Sequence, residues 1–142
     1  MEVPPMDLPL GCLLPQQLPL TAQWCVQPQL CIALEVARSP EEQRRGLMQR
    51  PPLPTLRGMW FPFETPRSLR FWMLNTLAPL DMIFVLGKSV VAIQPRVPVC
   101  PGLPCPSYGP FQLADGVVEL AAGEAERLGI EAGDAIKIST IP

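Results

Sequence analysis

The chain has 142 residues, 48% of them hydrophobic and 17% charged, a balance that suits a compact core and excludes a disordered protein. Histidine is absent, which removes Ser-His-Asp and Cys-His catalysis together with the commonest neutral metal ligand. Twenty prolines argue against a helical bundle, because proline lacks a ladder donor and interrupts helices; a mainly β protein of short strands and shaped loops is expected.

A chain of this length is expected to form one domain and to bury about two thirds of its unfolded surface. The net charge of −2 is unevenly placed. Residues 1–42 carry one basic and five acidic groups, residues 43–96 eight and two, and residues 97–142 two and six. The basic middle can attract an anion or pair with the flanking carboxylates across the fold. An acidic chain without a basic stripe is not expected to bind nucleic acid. The five cysteines show no CxxC spacing, so neither a metal nor a cofactor is expected.

Residues 1–21 read as a flexible, proline-rich N-terminal arm, and residues 22–142 as a single β domain. The arm has neither the positive start nor the uninterrupted apolar run of a secretory signal. Leu10-Gly11-Cys12 resembles a lipoprotein cleavage site but is spoiled by Pro9 and the acidic stretch before it. A start inside a longer exported precursor is the other reading. No uncharged apolar run approaches the roughly 20 residues of a membrane span.

From Ala22 the pattern is that of strands. AQWCV and LCIALEVA predict a hairpin turning around Pro28. If Val26 faces Leu30, Cys25 faces Cys31, close enough for a disulfide. Ser39-Pro40-Glu41-Glu42 predicts a helix start with a capping box, and Gly46 its stop. Gly58–Phe63 predicts a short strand that Pro62 confines to an edge or a bulge; a turn at Glu64–Pro66 and a strand over Leu69–Leu74 follow. The run FWMLNTLAPLD, residues 71–81, thus reads as a core strand ending in a polar corner. Asp81–Leu86 and Ser89–Ile93 predict a hairpin about Gly87-Lys88, with glycine placed for a II′ turn.

The proline-rich loop over residues 95–110 is long enough to need a pin, which Cys100 and Cys105 offer. Asp115–Leu120 predicts a strand, Ala122–Leu128 a short helix with a Schellman stop at Gly129, and Ala135–Thr140 the last strand.

The segments EVARSPEEQRRGLMQR, RGMWFPF, FWMLNT, PLDMIFVL, PSYGP and VVELAAGEAERLGIEAGDAIKI resemble, in order and spacing, the bacterial and archaeal domain of unknown function 192 family over about Ile32–Ile138. The loop over residues 95–110 is similar to that of the cyanobacterial branch. Gly46, Leu47, Met48 and Arg50 match one element of the family pattern; Gly58, Met59, Phe61 and Phe63 match the next. Phe71, Met73, Asn75, Thr76, Pro79, Leu80 and Asp81 match the central one, and Glu119, Gly123, Gly129, Gly133 and Asp134 the last. Leu74 departs from the lysine common in the family. The resemblance implies a compact β-sandwich or partly closed barrel with two short helices, often exported, and supplies no activity.

Arg50, Asn75, Thr76 and Asp81 form the candidate binding corner, in which a carboxylate beside an amide and a guanidinium could hold a polar ligand or serve as a general base. The alternative is that Asp81 caps backbone amides, Asn75 closes a turn and Arg50 neutralises the carboxylate. Trp60 and Trp72 are open between a ligand groove and the core, whereas Phe61, Phe63 and Phe71 read as core. Two closely spaced cysteine pairs point to a periplasmic or other extracytoplasmic location, with cytosol as the alternative. A non-catalytic ligand-binding or accessory module is the expected function. The alternatives are a hydrolase or isomerase using Asp81, and a structural interaction protein; the small-molecule ligand or protein partner is unidentified.

Overall fold

The computed structural model describes residues 1–3 and 15–142. Cys12, with the cleavage-site resemblance around it and most of the proposed arm, lies outside the described residues. Among the described residues nine strands and two short helices follow in chain order: β1 (Leu20–Gln27), β2 (Leu30–Val36), α1 (Pro40–Arg45), β3 (Arg57–Arg67), β4 (Phe71–Trp72), β5 (Leu80–Leu86), β6 (Ser89–Val97), β7 (Ser107–Tyr108), β8 (Ala114–Ala121), α2 (Glu124–Arg127) and β9 (Ile138–Thr140). Seven strands form one sheet in the order β6-β5-β8-β3-β2-β1-β9, and β4 pairs with β7 in a second, small sheet. The expected mainly β layered fold with two short helices is therefore present, and the large sheet is not closed into a barrel.

β8 is the organising strand, because it pairs antiparallel with both β5 and β3 and puts apolar side chains on two faces. On the first face Val117 packs with Met59, Phe61, Met82 and Phe84 beneath Leu47, Met48, Phe71 and Met73. On the second, Val118 and Leu120 pack with Trp24, Leu34, Ile83 and Val85 beneath Ala125, Leu128 and Ile136. Strand alternation produces this division, since a period of two sends neighbouring residues to opposite faces. Phe71 anchors the small sheet to the large one through edge-on contacts with Phe61 and Phe84, at 5.1 and 6.3 Å between ring centres.

Local chemistry accounts for the ends of several elements. Ser39 accepts from the Glu42 amide while the Glu42 carboxylate accepts from the Ser39 amide, so the capping box is complete. Gly46 follows α1 with φ +46°. The β5–β6 hairpin pairs Leu86 with Ser89 around Gly87, whose φ is +61°. At the end of α2 the Ile130 amide reaches the Ala125 carbonyl across Gly129, φ +70°, as a Schellman stop requires.

Four expectations are corrected. Cys25 does face Cys31, but Gln27 and not Val26 faces Leu30, because a bulge lies between Cys25 and Gln27. Residues 64–66 do not turn; β3 continues to Arg67. Pro62 is tolerated there because β2 ends opposite Trp60, leaving that side of β3 unpaired. The strand expected over Leu69–Leu74 shrinks to Phe71–Trp72 in the small sheet, since Asn75 takes φ +59° and residues 71–74 are all buried, so alternation does not constrain them. The final strand is confined to Ile138–Thr140 on β1, while Ala135 bridges Ser89 on β6. Residues 135–140 thereby link β6 to β1.

Candidate functional site

Asp81 is the second residue of β5, on the second face, and is 0% exposed. Its Oδ1 accepts from the amides of Arg96 at 2.8 Å and Gly123 at 3.2 Å; its Oδ2 accepts from those of Gly123 at 3.1 Å and Ala125 at 2.9 Å. The carboxylate therefore ties β6 and the start of α2 to β5. Neither oxygen is left free for a substrate.

Arg50 does not approach this carboxylate as its ion partner. Its guanidinium forks onto Glu35 of β2, with Nη1 2.7 Å from Oε1 and Nη2 2.8 Å from Oε2, and Glu35 Oε1 also accepts from the Leu18 amide at 2.8 Å. Asn75 joins two loops: its amide donates to the Cys100 carbonyl at 3.3 Å and its carbonyl accepts from the Gln49 amide at 2.8 Å. Thr76 is buried, with its hydroxyl 3.6 Å from the Met1 sulfur. Trp72 is 8% exposed, and its indole Nε1 finds no partner among the described residues. Two groups result: Trp60 packs against the second-face core and Trp72 belongs to the first.

A cleft of about 600 Å³ opens on the second face. Val36, Trp60, Val85, the Gly87-Lys88 turn, residues 136–138, Thr21 and Thr140 line it. Arg38, Lys88 and Lys137 also line it, all three exposed, and no acidic side chain does. Asp115 sits near the rim, where its carboxylate accepts from the Gly87 amide at 3.1 and 3.2 Å. Volume, a half-buried indole and convergent cations are the attributes of a small-ligand site. Sequence reasoning found Trp60 but not its cationic neighbours, because Lys88 and Lys137, the only two lysines of the chain, meet only through the tertiary link of residues 135–140 between β6 and β1.

The opposite face holds Glu119, 0% exposed, with its Oε2 3.1 Å from the Met1 amino group. Burial pushes the Glu119 carboxyl up and the Met1 amino group down, while their mutual attraction opposes both shifts. The signal for it in the sequence was one charge inside the apolar strand VVELA. Among the described residues no group of three or more acidic or cysteine side chains is placed to hold a metal. Cys25–Cys31 and Cys100–Cys105 lie at disulfide-bonding distance. No helix among the described residues is long and apolar enough to cross a membrane.

Comparison with known proteins adds the family. A protein from Novosphingobium aromaticivorans DSM 12444 of unknown function superposes with a TM-score of 0.72 at 31% identity, over 82% of this chain and 83% of that one. A protein from Sinorhizobium meliloti 1021, described as a putative transcription regulator, superposes with a TM-score of 0.69 at 26% identity, over 84% and 92%. No curated protein matches the sequence significantly. The model of domain of unknown function 192, described as an uncharacterized ACR, matches residues 23–138, and the chain belongs to that family.

Proposed function

We propose that this protein is a non-catalytic binding module whose ligand is a small anion with a flat, apolar portion, seated in the Trp60 cleft. The observation that carries the reading is the joining of Arg38, Lys88 and Lys137 around one indole, with no acid among the lining side chains. The cations stay hydrated until a ligand arrives and attract it over roughly the 8 Å of physiological screening; the indole then offers a flat apolar surface. Arg50 and Asp81 enter this reading as supports of the scaffold, since each is occupied by protein partners. That occupancy also argues against Asp81 as the base of a hydrolase or isomerase.

The two cysteine pairs support an exported protein, and the proline- and cysteine-rich loop that holds Cys100–Cys105 supports the cyanobacterial branch. We take no DNA-binding role from the Sinorhizobium neighbour, because a net charge of −2 gives no footprint for nucleic acid.

The test uses anilinonaphthalenesulfonate, a flat apolar anion, with neutral phenylnaphthylamine as control. Saturable binding of the anion is expected, weakened by salt and about tenfold weaker in Lys88→Ala/Lys137→Ala, on the order of 1.4 kcal/mol. Equal affinity for the neutral control, or no effect of the double substitution, would refute the assignment.

A further inference from the structure

Arg44, Arg45, Arg50, Arg67, Arg96 and Arg127 each sit in an ion pair with a glutamate, and Arg70 spends its guanidinium on Ser107 and the Gly109 carbonyl. The other side-chain cations are Arg38, Arg57, Lys88 and Lys137, and among the described residues none of these side chains has an ion pair or hydrogen bond. Arg38, Lys88 and Lys137 line the Trp60 cleft, and Arg57 does not. The cations left without a partner are thus gathered where no acid lines the wall. Nearby carboxylates are engaged elsewhere: Asp115 at the rim accepts from the Gly87 amide, Glu42 from the amides of Ser39 and Arg38, and Asp134 from the Glu131 amide.

Like charges drawn into one cleft repel one another, and a singly charged ligand leaves two of the three uncompensated. A doubly charged ligand comes closer to balance. The mixture of cations suits tetrahedral oxygens, because a planar guanidinium offers parallel N–H donors to a phosphate while ammoniums add point charge without a fixed direction. Thr21 and Thr140 also line the cleft, and a threonine hydroxyl can donate to a further oxygen.

We propose that the ligand of the Trp60 cleft is the phosphate monoester of an aromatic or heteroaromatic compound, recognised as a dianion. Arg38, Lys88 and Lys137 hold the phosphoryl oxygens, and the ring lies against Trp60. This rests on the reading of the cleft as an anion site and narrows the anion to a doubly charged one. No histidine is present in the sequence, and histidine is the one side chain whose ordinary range falls between about pH 5 and 8. A phosphate monoester gains its second charge near about pH 6, so its preference over a monoanion of the same shape should appear as pH rises through that value.

Calorimetric titration compares 1-naphthyl phosphate with 1-naphthyl sulfate, which has the same ring and a single charge. At about pH 7.5 the phosphate is expected to bind about tenfold tighter, and at about pH 5, where both are monoanions, the two should converge. Arg38→Ala should remove most of the phosphate's advantage, while Arg57→Ala, which deletes an unpaired charge outside the cleft, should leave it. Competition with adenosine 5′-monophosphate and with phenyl phosphate separates a nucleotide from a phosphate carried directly on the ring, and displacement by neither overturns the assignment. Equal binding of the two naphthyl compounds at both pH values also overturns it, as does a naphthalene dicarboxylate that binds as tightly as the phosphate, or an advantage that Arg57→Ala abolishes as fully as Arg38→Ala. In those cases saturable, salt-sensitive binding of anilinonaphthalenesulfonate would leave the anion cleft standing; failure of that probe together with both naphthyl compounds removes the cleft reading as well.

Discussion

The Trp60 indole covers Gly116 so closely that a Cβ there would lie 2.1 Å from its Cη2. Both residues sit on neighbouring strands of the second face, β3 and β8, and the absent side chain at Gly116 is what lets the indole floor the cleft. Gly116→Ala is expected to destabilise the fold by about 1–3 kcal/mol through overpacking, or to displace the indole and lose the ligand. Urea unfolding and probe binding on the same variant read the two effects.

Arg50→Ala is expected to cost about 3 kcal/mol, because it leaves the nearly buried Glu35 carboxylate without its forked partner. Arg50→Lys should recover only part of this, since an ammonium cannot reproduce the two parallel bonds. A shift of the urea midpoint with unchanged slope is the expected signature.

Asp81→Ala is expected to unfold the protein at lower denaturant, since it strips the amides of Arg96, Gly123 and Ala125 of their acceptor. At about 1 kcal/mol or more for each unsatisfied amide, the loss is on the order of 3 kcal/mol. A variant that bound ligand poorly yet kept full stability would instead return Asp81 to a binding role.

Glu42 is held below the usual carboxylate range by the amide of Ser39 first and that of Arg38 next. Its folded value lies below its unfolded one, so its stabilising contribution is present above the unfolded carboxylate range and disappears as pH falls through the folded value. Ser39→Ala should cost about 1 kcal/mol by removing the other half of the capping box. Unfolding curves of both proteins across the acid range check the direction.

Alkylation of the protein from its native compartment, followed by mass spectrometry, is expected to modify one thiol without reductant and five with it. The protected four would be Cys25, Cys31, Cys100 and Cys105. Cys100→Ser/Cys105→Ser should lower stability by about 2 kcal/mol, the entropy of closing so short a loop.

Much of the fold was legible because its signals are local. The capping box at Ser39 and Glu42, the Gly87-Lys88 hairpin and the stop at Gly129 each depend on backbone geometry within a few residues. Leu69–Leu74 was misread for the opposite reason: all of residues 71–74 are buried, and an unbroken apolar run carries no period to tell strand from loop. Arg50 and Asp81 have different partners, because a carboxylate and a guanidinium in one motif need not share one. Asp81 went to three amides and Arg50 to Glu35.

By itself, the sequence determined a mainly β chain, the Ser39 cap, the Gly87-Lys88 turn and the Gly129 stop, the Cys25–Cys31 pairing and the family. Strand order decided the rest. With β8 between β5 and β3 and residues 135–140 linking β6 to β1, Lys88 and Lys137 come to line one cleft around Trp60, while Glu119 is carried to the other face and meets Met1, 118 positions away. Such meetings depend on which distant segments share a face, and no short-range preference of the backbone encodes that.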